Sequence, residues 1–279
     1  MDASEMTTTI ETKASRRTKL LAFLEEHPLC IYCGGETPAT TRDHVPSRQL
    51  FHRKQWPEGY EFPACGHCNH VTRDAEQVMA LISRIYPDND TQSAREEFVS
   101  ILRAIRNNYP KVLSEIAPSR DQIAKFNTAE WSRKFRSVDG HAPVVSLAGP
   151  LVTACAKAFA RKLFCALHYK EFGKIIPPAG GIGWRWYSNV QRLNNELPDD
   201  LINAMDRQSL TKRVNRDLSD QFSYLFVRPD DGEITAYFAT FRLSFAMLGF
   251  VETDASRLEL PNEDRLLRPL APRPSGHRE

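Results

Sequence analysis

In the first half of the chain, apolar residues recur every three or four positions, which is the period of an amphipathic helix. This spacing predicts helices over residues 15–27, 69–86 and 91–108. Each helix is expected to stop before a proline, because proline lacks the backbone N–H and clashes with the preceding turn. The three prolines are Pro28, Pro87 and Pro110.

The hydrophobic pattern changes near residue 121. It predicts a moderate helix over residues 121–136 and the strongest helix of the chain over residues 151–172. The second of these is apolar around most of its circumference, so it should lie inside a core. Short apolar runs then predict four strands, over residues 182–187, 222–228, 233–241 and 243–250. Asp231 and Gly232 are expected to form a hairpin turn.

These elements predict an α+β fold, in which a small module with four of the six cysteines precedes a larger domain of mixed helices and antiparallel sheet. The predicted segments are an N-terminal helical lead (1–28), the cysteine module (29–86), a helical connector (87–120), the α+β C-terminal domain (121–260) and a tail (261–279). The tail is rich in proline and is expected to be disordered.

The composition is that of a globular protein, with 41% hydrophobic and 26% charged residues in a chain of 279. The formal net charge of +2 permits nucleic-acid binding without indicating it. The chain lacks the long apolar run of a membrane span, and its acidic N-terminal residues argue against a targeting peptide. Cysteines in CxxC pairs are typical of metal binding in a reducing compartment, so we expect a cytoplasmic protein with no membrane partner.

Two CxxC pairs carry the clearest chemistry in the chain. They are Cys30 with Cys33 and Cys65 with Cys68. Zinc binds four thiolates tetrahedrally, and each short pair can bend around one ion, so the pairs predict a structural zinc site. His67 or His70 in place of one cysteine is a weaker alternative. Two other interpretations are open. The four cysteines could be unrelated buried residues, or the metal could be purely structural, so that the module simply holds two segments together.

An adjacent aspartate and histidine, Asp43 and His44, lie between the two pairs, and Asn69 follows the last cysteine. Neighbouring side chains of an extended segment point to opposite sides, so one can face a metal and the other a water molecule. A carboxylate is a ligand for hard cations, and histidine is a suitable general base near neutral pH. On the helix predicted to begin at Asn69, Arg73 and Glu76 share its face.

The order CxxC, Asp-His-Val-Pro and CxxC-Asn resembles the HNH endonucleases of the zinc-bearing, treble-clef type, which have a ββα-metal core. The resemblance covers residues 29–86 and does not extend to the C-terminal half. It implies a β-hairpin that carries Asp43 and His44, followed by a helix that carries Asn69.

The resemblance also implies a role for each of these residues. His44 would be the general base that activates water, and Asp43 and Asn69 would hold a catalytic divalent cation, either Mg²⁺ or Mn²⁺. The four cysteines would hold a structural Zn²⁺. The implied activity is hydrolysis of phosphodiester bonds in nucleic acid, with DNA favoured over RNA as the substrate and with Arg48 and Arg73 as candidate phosphate contacts.

One position departs from the family pattern. Where the family has an asparagine five residues before the third cysteine, this chain has Tyr60. The candidates to hold the histidine loop instead are Gln49, Gln55, Glu58 and Glu61. Tyr60 and Trp56 are in turn candidate stacking partners for nucleic-acid bases.

Two other functions are consistent with the residues. One is a zinc-stabilised module that binds nucleic acid or protein without hydrolysing a substrate. The other is a C-terminal domain that senses a small molecule, to which the cysteine module responds. The sequence does not indicate an oligomeric state.

Overall fold

The computed structural model describes residues 3–85, 91–128, 145–209, 211–228 and 234–272, with side chains from residue 15 onward. Within these ranges the helices are α1 (Ala3–Glu26), α2 (Gly66–Val71), α3 (Arg73–Ser83), α4 (Gln92–Asn108), α5 (Pro110–Ile116), α6 (Arg120–Thr128), α7 (Pro150–Phe172), α8 (Asn189–Leu193) and α9 (Asp199–Asn203). A short 3-10 helix, Ile31–Cys33, precedes the first strand.

Three antiparallel sheets are formed by ten strands of the described residues. The strands are β1 (Thr41–His44), β2 (Glu61–Ala64), β3 (Gly181–Ser188), β4 (Arg207–Gln208), β5 (Lys212–Arg213), β6 (Arg216–Asp217), β7 (Ser223–Val227), β8 (Ile234–Phe241), β9 (Phe245–Glu252) and β10 (Leu266–Leu267). Strands β1 and β2 pair with each other, as do β5 and β6. The large sheet has the order β10-β3-β9-β8-β7-β4.

The helix ends follow local sequence signals. The side chain of Thr91 caps α4 by accepting a hydrogen bond from the Ala94 amide. Proline occupies the first turn of both α5 and α7. An N–H group at this position has no acceptor within the helix, so proline costs no hydrogen bond there. Gly173 ends α7 with a left-handed backbone (φ 64°), a conformation that glycine adopts without strain.

Helix α7 contributes much of the core. Phe159, Leu163, Phe164 and Leu167 are all buried, and each such side chain stabilises the fold by about 1.5–3 kcal/mol on leaving water. Strand β9 approaches this helix closely at Gly249, where a Cβ atom would lie 2.6 Å from the ring of Phe164. A larger residue at this position would therefore push the strand away from the helix.

One continuous hydrophobic core joins the cysteine module to the large sheet. Its buried members run from Cys30 to Leu267 along the chain. Helix α7 connects the two parts, because it contacts α3 and the 3-10 helix Ile31–Cys33 as well as strands β3 and β9. The residues of the cysteine module are thus held in place by a helix from the C-terminal half.

The α+β class with antiparallel sheets is confirmed, as are the helices predicted over residues 91–108 and 151–172 and the four strands. The single helix predicted over residues 69–86 is wrong: α2 and α3 meet at Thr72, and α3 ends at Ser83. The predicted turn at Asp231 and Gly232 lies outside the described residues, as do residues 129–136 of the predicted helix.

Disorder throughout the tail after residue 260 is also a wrong prediction. Leu266 and Leu267 pair with Ile182 and Gly183 on the edge of the large sheet, and Leu267 is buried. The backbone amide of Leu270 then donates a hydrogen bond to the carbonyl of Tyr32 at 2.7 Å. Prolines do not prevent this docking, because the short strand uses only two residues of the segment.

Candidate functional site

The first cysteine pair lies on a tight turn. Cys30 precedes the 3-10 helix and Cys33 ends it, and the Gly35 amide donates to the Cys30 carbonyl at 3.0 Å. The backbone reverses at Gly34 with φ 68°, and a Cβ atom there would lie 2.8 Å from Pro178. Glycine is required at this turn because both its conformation and its surroundings exclude a side chain.

The second cysteine pair begins helix α2. Cys65 is the N-cap residue, and its Sγ accepts a hydrogen bond from the Cys68 amide at 3.4 Å. This bond satisfies one of the N–H groups that the first turn of a helix leaves without a partner. The capping bond therefore fixes the Cys65 sulfur beside the backbone of Cys68.

The four cysteines form one buried cluster. Their sulfur atoms all lie within 4.8 Å of one another, and none of the four residues is more than 4% exposed. The hydrogen bond from Cys68 lowers the pKa of Cys30 to about 5, so the cluster provides a thiolate at neutral pH. His67 and His70 are not members of the cluster. The donor set is compatible with a single zinc ion.

Asp43 and His44 are the last two residues of strand β1, and their side chains have different partners. Asp43 is 6% exposed and its carboxylate points towards helix α7, where it pairs with Lys162. His44 is opposite Glu61 in the antiparallel register, and its Nε2 lies 3.1 Å from Oε1 of Glu61. Arg42 pairs with the other oxygen of the same carboxylate at 3.1 Å. The imidazole is thus held by a charged group on the adjacent strand.

This pair identifies a residue that holds the His44 ring. Among the four candidates from the sequence, Glu61 contacts the histidine ring directly. Burial and the nearby Arg48 lower the pKa of His44, and the opposing effects of Glu61 and Asp43 are smaller. The imidazole is therefore neutral near pH 7, the state in which it can accept a proton.

A single open cleft of about 590 Å³ brings the predicted site residues together. Asp43 and His44 line it from strand β1, Asn69 from helix α2, and Arg48 and Arg73 from the segments that follow. Its other lining residues are Thr41, Arg42, Ser47, Gln49, Lys54, Gly66, His70 and Glu76. Side chains from a strand and a helix, together with basic side chains, therefore face one space.

A buried lysine that the sequence analysis did not single out lies beneath this cleft. Nζ of Lys162 on α7 is 2.6 Å from Oδ2 of Asp43 and also contacts the carboxylate of Glu76. All three residues are less than 9% exposed. The sequence contained one signal for this residue, which is a lysine within a helix predicted to be buried. Lysine is almost never fully buried without a partner, so its position indicates a buried acidic partner.

The charges of this triad depend on one another. Burial lowers the pKa of Lys162, but the carboxylates of Asp43 and Glu76 more than offset it, so the net shift is upward. Burial raises the pKa of Glu76, and Lys162 offsets only part of that rise. Thr72 also donates to Glu76 at 3.1 Å. The ammonium group is thus the fixed positive charge that keeps two carboxylates buried at the base of the cleft.

The two candidate stacking residues differ in accessibility. Tyr60 is completely buried, so its role as a stacking partner is a wrong prediction. Trp56 is partly buried and makes an edge contact with the His44 ring, with centroids 4.5 Å apart. The guanidinium groups of Arg48 and Arg213 lie over the indole, 5.1 and 4.3 Å from its centroid. Trp56 therefore connects the catalytic candidate to two basic side chains.

A second cavity, about 540 Å³, lies in the C-terminal half between the large sheet and the segment that contains α8 and α9. Its polar lining includes Arg192, Asp199, Asp220 and Arg242. It shares no lining residue with the cleft described above. This cavity is the candidate binding site if the C-terminal domain senses a small molecule, which is one of the other functions consistent with the sequence.

Comparison with family models, curated proteins and solved structures finds no match for this chain. Among the helices that the structure describes, none combines the length and apolar character needed to cross a membrane.

Proposed function

We propose that this protein is a metal-dependent endonuclease of the HNH type, which hydrolyses phosphodiester bonds in nucleic acid with DNA as the favoured substrate. One observation carries the proposal: Asp43, His44 and Asn69 line the same cleft although they come from a strand and a helix. Arg48 and Arg73 line it as well and supply the positive charge that a phosphate requires.

His44 is the proposed general base. An ionised carboxylate only accepts hydrogen bonds, so Glu61 fixes the proton of the neutral imidazole on Nε2. The lone pair is then on Nδ1, which can take a proton from a water molecule as the water attacks phosphorus. Glu61 acts on the reaction through His44 and is therefore a positioning residue.

Asp43 and Asn69 are the proposed ligands of the catalytic divalent cation. Their oxygen atoms are the donor type that Mg²⁺ and Mn²⁺ prefer. Lys162 contacts Oδ2 of Asp43 and the His44 amide donates to Oδ1 at 2.9 Å, but each carboxylate oxygen has two lone pairs, so the carboxylate keeps acceptor positions that a cation would use. When bound, the cation would stabilise negative charge on the phosphoryl group and on the leaving oxygen.

The four-cysteine cluster is the proposed site of a structural Zn²⁺. A closed set of four thiolates leaves no position for substrate, so this ion would have no direct part in hydrolysis. Its role would be to hold the turn at Cys30 and the start of helix α2 together. Asn69 follows Cys68 directly, so the zinc would also fix where Asn69 lies.

The substitution His44→Ala tests hydrolysis. We expect it to slow nicking of plasmid DNA in Mg²⁺ or Mn²⁺ by about 10²–10⁴-fold, which is the usual contribution of a positioned general base. His52→Ala is the matched control, because His52 pairs with Glu97 and does not line the cleft. The control should cut at the wild-type rate. RNA of the same sequence, assayed in parallel, measures the preference for DNA.

Two results would overturn the proposed activity. One is equal nicking by the wild type and His44→Ala, and the other is no nicking by either protein over a range of divalent metals. If the chain still bound nucleic acid in the second case, its function would be the non-hydrolytic zinc-stabilised binding module.

A further inference from the structure

A basic β-hairpin from the C-terminal half lies beside the candidate active site. Strands β5 and β6 pair Lys212 with Asp217 and Arg213 with Arg216, and Val214 and Asn215 form the two-residue turn. Lys212 and Arg216 are exposed, and Val214 at the tip is 74% exposed. The hairpin therefore presents its charges to solvent and does not contribute them to a core.

The hairpin is fixed to the loop that carries Trp56. Its Lys212 carbonyl accepts from the Glu58 amide at 2.9 Å, and Arg213 Nη1 donates to the Trp56 carbonyl at 3.0 Å. The Val214 amide donates to Oε1 of Glu58 at 3.2 Å. These bonds join the C-terminal half to the segment between β1 and β2, so the hairpin has a defined position relative to His44.

Trp56 places the hairpin charges next to the cleft. Its ring contacts His44 at one edge, and the guanidinium groups of Arg48 and Arg213 both lie over it. Arg48 lines the cleft, whereas Arg213 belongs to the hairpin. A continuous strip of positive charge therefore runs from the cleft to the hairpin through one aromatic side chain.

These cations are available to an external anion. In the part of the chain that the structure describes, none of Arg48, Lys212, Arg213 and Arg216 forms an ion pair with a carboxylate. The nearby acid Glu58 accepts from the Val214 amide. Asp217 accepts from the Ser219 amide and lies opposite Lys212 in the hairpin, so it offsets part of the Lys212 charge. Arg216 also donates to Oε1 of Gln55 at 3.4 Å, which leaves its charge uncompensated. Positive charge therefore remains in excess along the strip, and a polyanion with regularly spaced phosphates matches it.

We propose that the hairpin of residues 212–217 is a DNA-binding element, which holds the phosphate backbone beside the bond that faces His44. The proposal rests on the proposed function and deepens it, because it assigns part of the substrate contact to the C-terminal half. Lys212 and Arg216 bind backbone phosphates of the duplex. Arg213 fixes the hairpin to Trp56 and adds its charge to that of Arg48.

The test compares DNA binding by full-length proteins that all carry His44→Ala, so that the DNA is not cut. Binding of a short labelled DNA duplex is measured by fluorescence anisotropy over a series of KCl concentrations. We expect Lys212→Gln with Arg216→Gln to weaken binding by at least about tenfold and to reduce the slope of log K against log [salt] by about 1.8, since each phosphate contact contributes about 0.9.

The matched control removes the same charge elsewhere. Lys111→Gln with Lys125→Gln changes two exposed lysines on α5 and α6, which do not line the cleft. This control should bind DNA like its parent. Unchanged affinity and slope in the hairpin variant, an equal loss in the control, or no DNA binding by the parent would overturn the proposal.

The same proteins without His44→Ala separate this proposal from hydrolysis. If the wild-type chain cuts DNA but the hairpin variant binds it unchanged, the hairpin proposal fails and the nuclease activity stands. If the hairpin variant loses binding but the wild-type chain cuts nothing, the hairpin proposal stands and the hydrolytic function fails.

Discussion

Replacing Cys65 with serine is expected to abolish zinc binding and to unfold the cysteine module. Binding of a structural zinc contributes about 10–16 kcal/mol in small zinc peptides at neutral pH, which is comparable to the whole stability of a typical domain. Three thiolates and a hydroxyl bind zinc far more weakly than four thiolates. The zinc content of the purified protein should fall from about one ion per chain to near zero.

Serine is the informative replacement at this position because it separates the two roles of Cys65. The sulfur caps helix α2 by accepting the Cys68 amide, and serine is among the best N-cap residues. The capping bond is therefore retained, and any loss of structure reports the loss of the metal. Amide hydrogen exchange should then show lost protection in α2 and α3, which follow the cysteine directly along the chain.

Cys155→Ser provides the matched control. Cys155 is a partly buried cysteine on α7 that is not a member of the cluster. The substitution should leave the zinc content unchanged and should not alter exchange in α2 and α3. Retention of one zinc ion by Cys65→Ser, or equal zinc loss in Cys155→Ser, would contradict four-sulfur ligation.

The local parts of this structure could be predicted from sequence, because the signals lie within a few residues of what they determine. Thr91 marks the start of α4, and the all-round apolar pattern of 151–172 marks a buried helix. The four cysteines and the Asp43–His44 pair are likewise visible as short motifs. The break at Thr72 was missed because the apolar period continues across it.

The partners of the site residues could not be predicted, because they are distant in sequence. Glu61 reaches His44 only once strands β1 and β2 pair in one register. Lys162 reaches Asp43 only once α7 packs against the cysteine module. The hairpin of residues 212–217 reaches Trp56 through tertiary hydrogen bonds that no local pattern encodes. Tertiary packing therefore decides which side chains support a motif that sequence alone can locate.

Lys162→Met is expected to destabilise the protein by about 3–5 kcal/mol, the usual cost of removing one partner from a buried ion pair. Methionine keeps the approximate length of the lysine side chain and its apolar stem contacts. The change therefore isolates the ammonium group. Without it, the carboxylates of Asp43 and Glu76 are left buried and uncompensated.

The destabilisation should depend on pH in a definite direction. Burial already raises the pKa of Glu76, and loss of the neighbouring ammonium group should raise it further. The folded variant then binds more protons than the unfolded chain, so its stability falls relative to the wild type as pH rises from about 5 to about 8. Urea unfolding curves of both proteins at the two pH values measure this difference.

Lys157→Met on the same helix is the control for this prediction. Lys157 pairs with Asp264, whose side chain is 85% exposed, and an acid left in contact with water needs no partner. Its urea midpoint should therefore match that of the wild type at both pH values. If Lys162→Met also matched the wild type, the triad would add nothing to stability. The position of helix α7 against the cysteine module would then depend on its other contacts, such as the hydrogen bond between Tyr169 and His27.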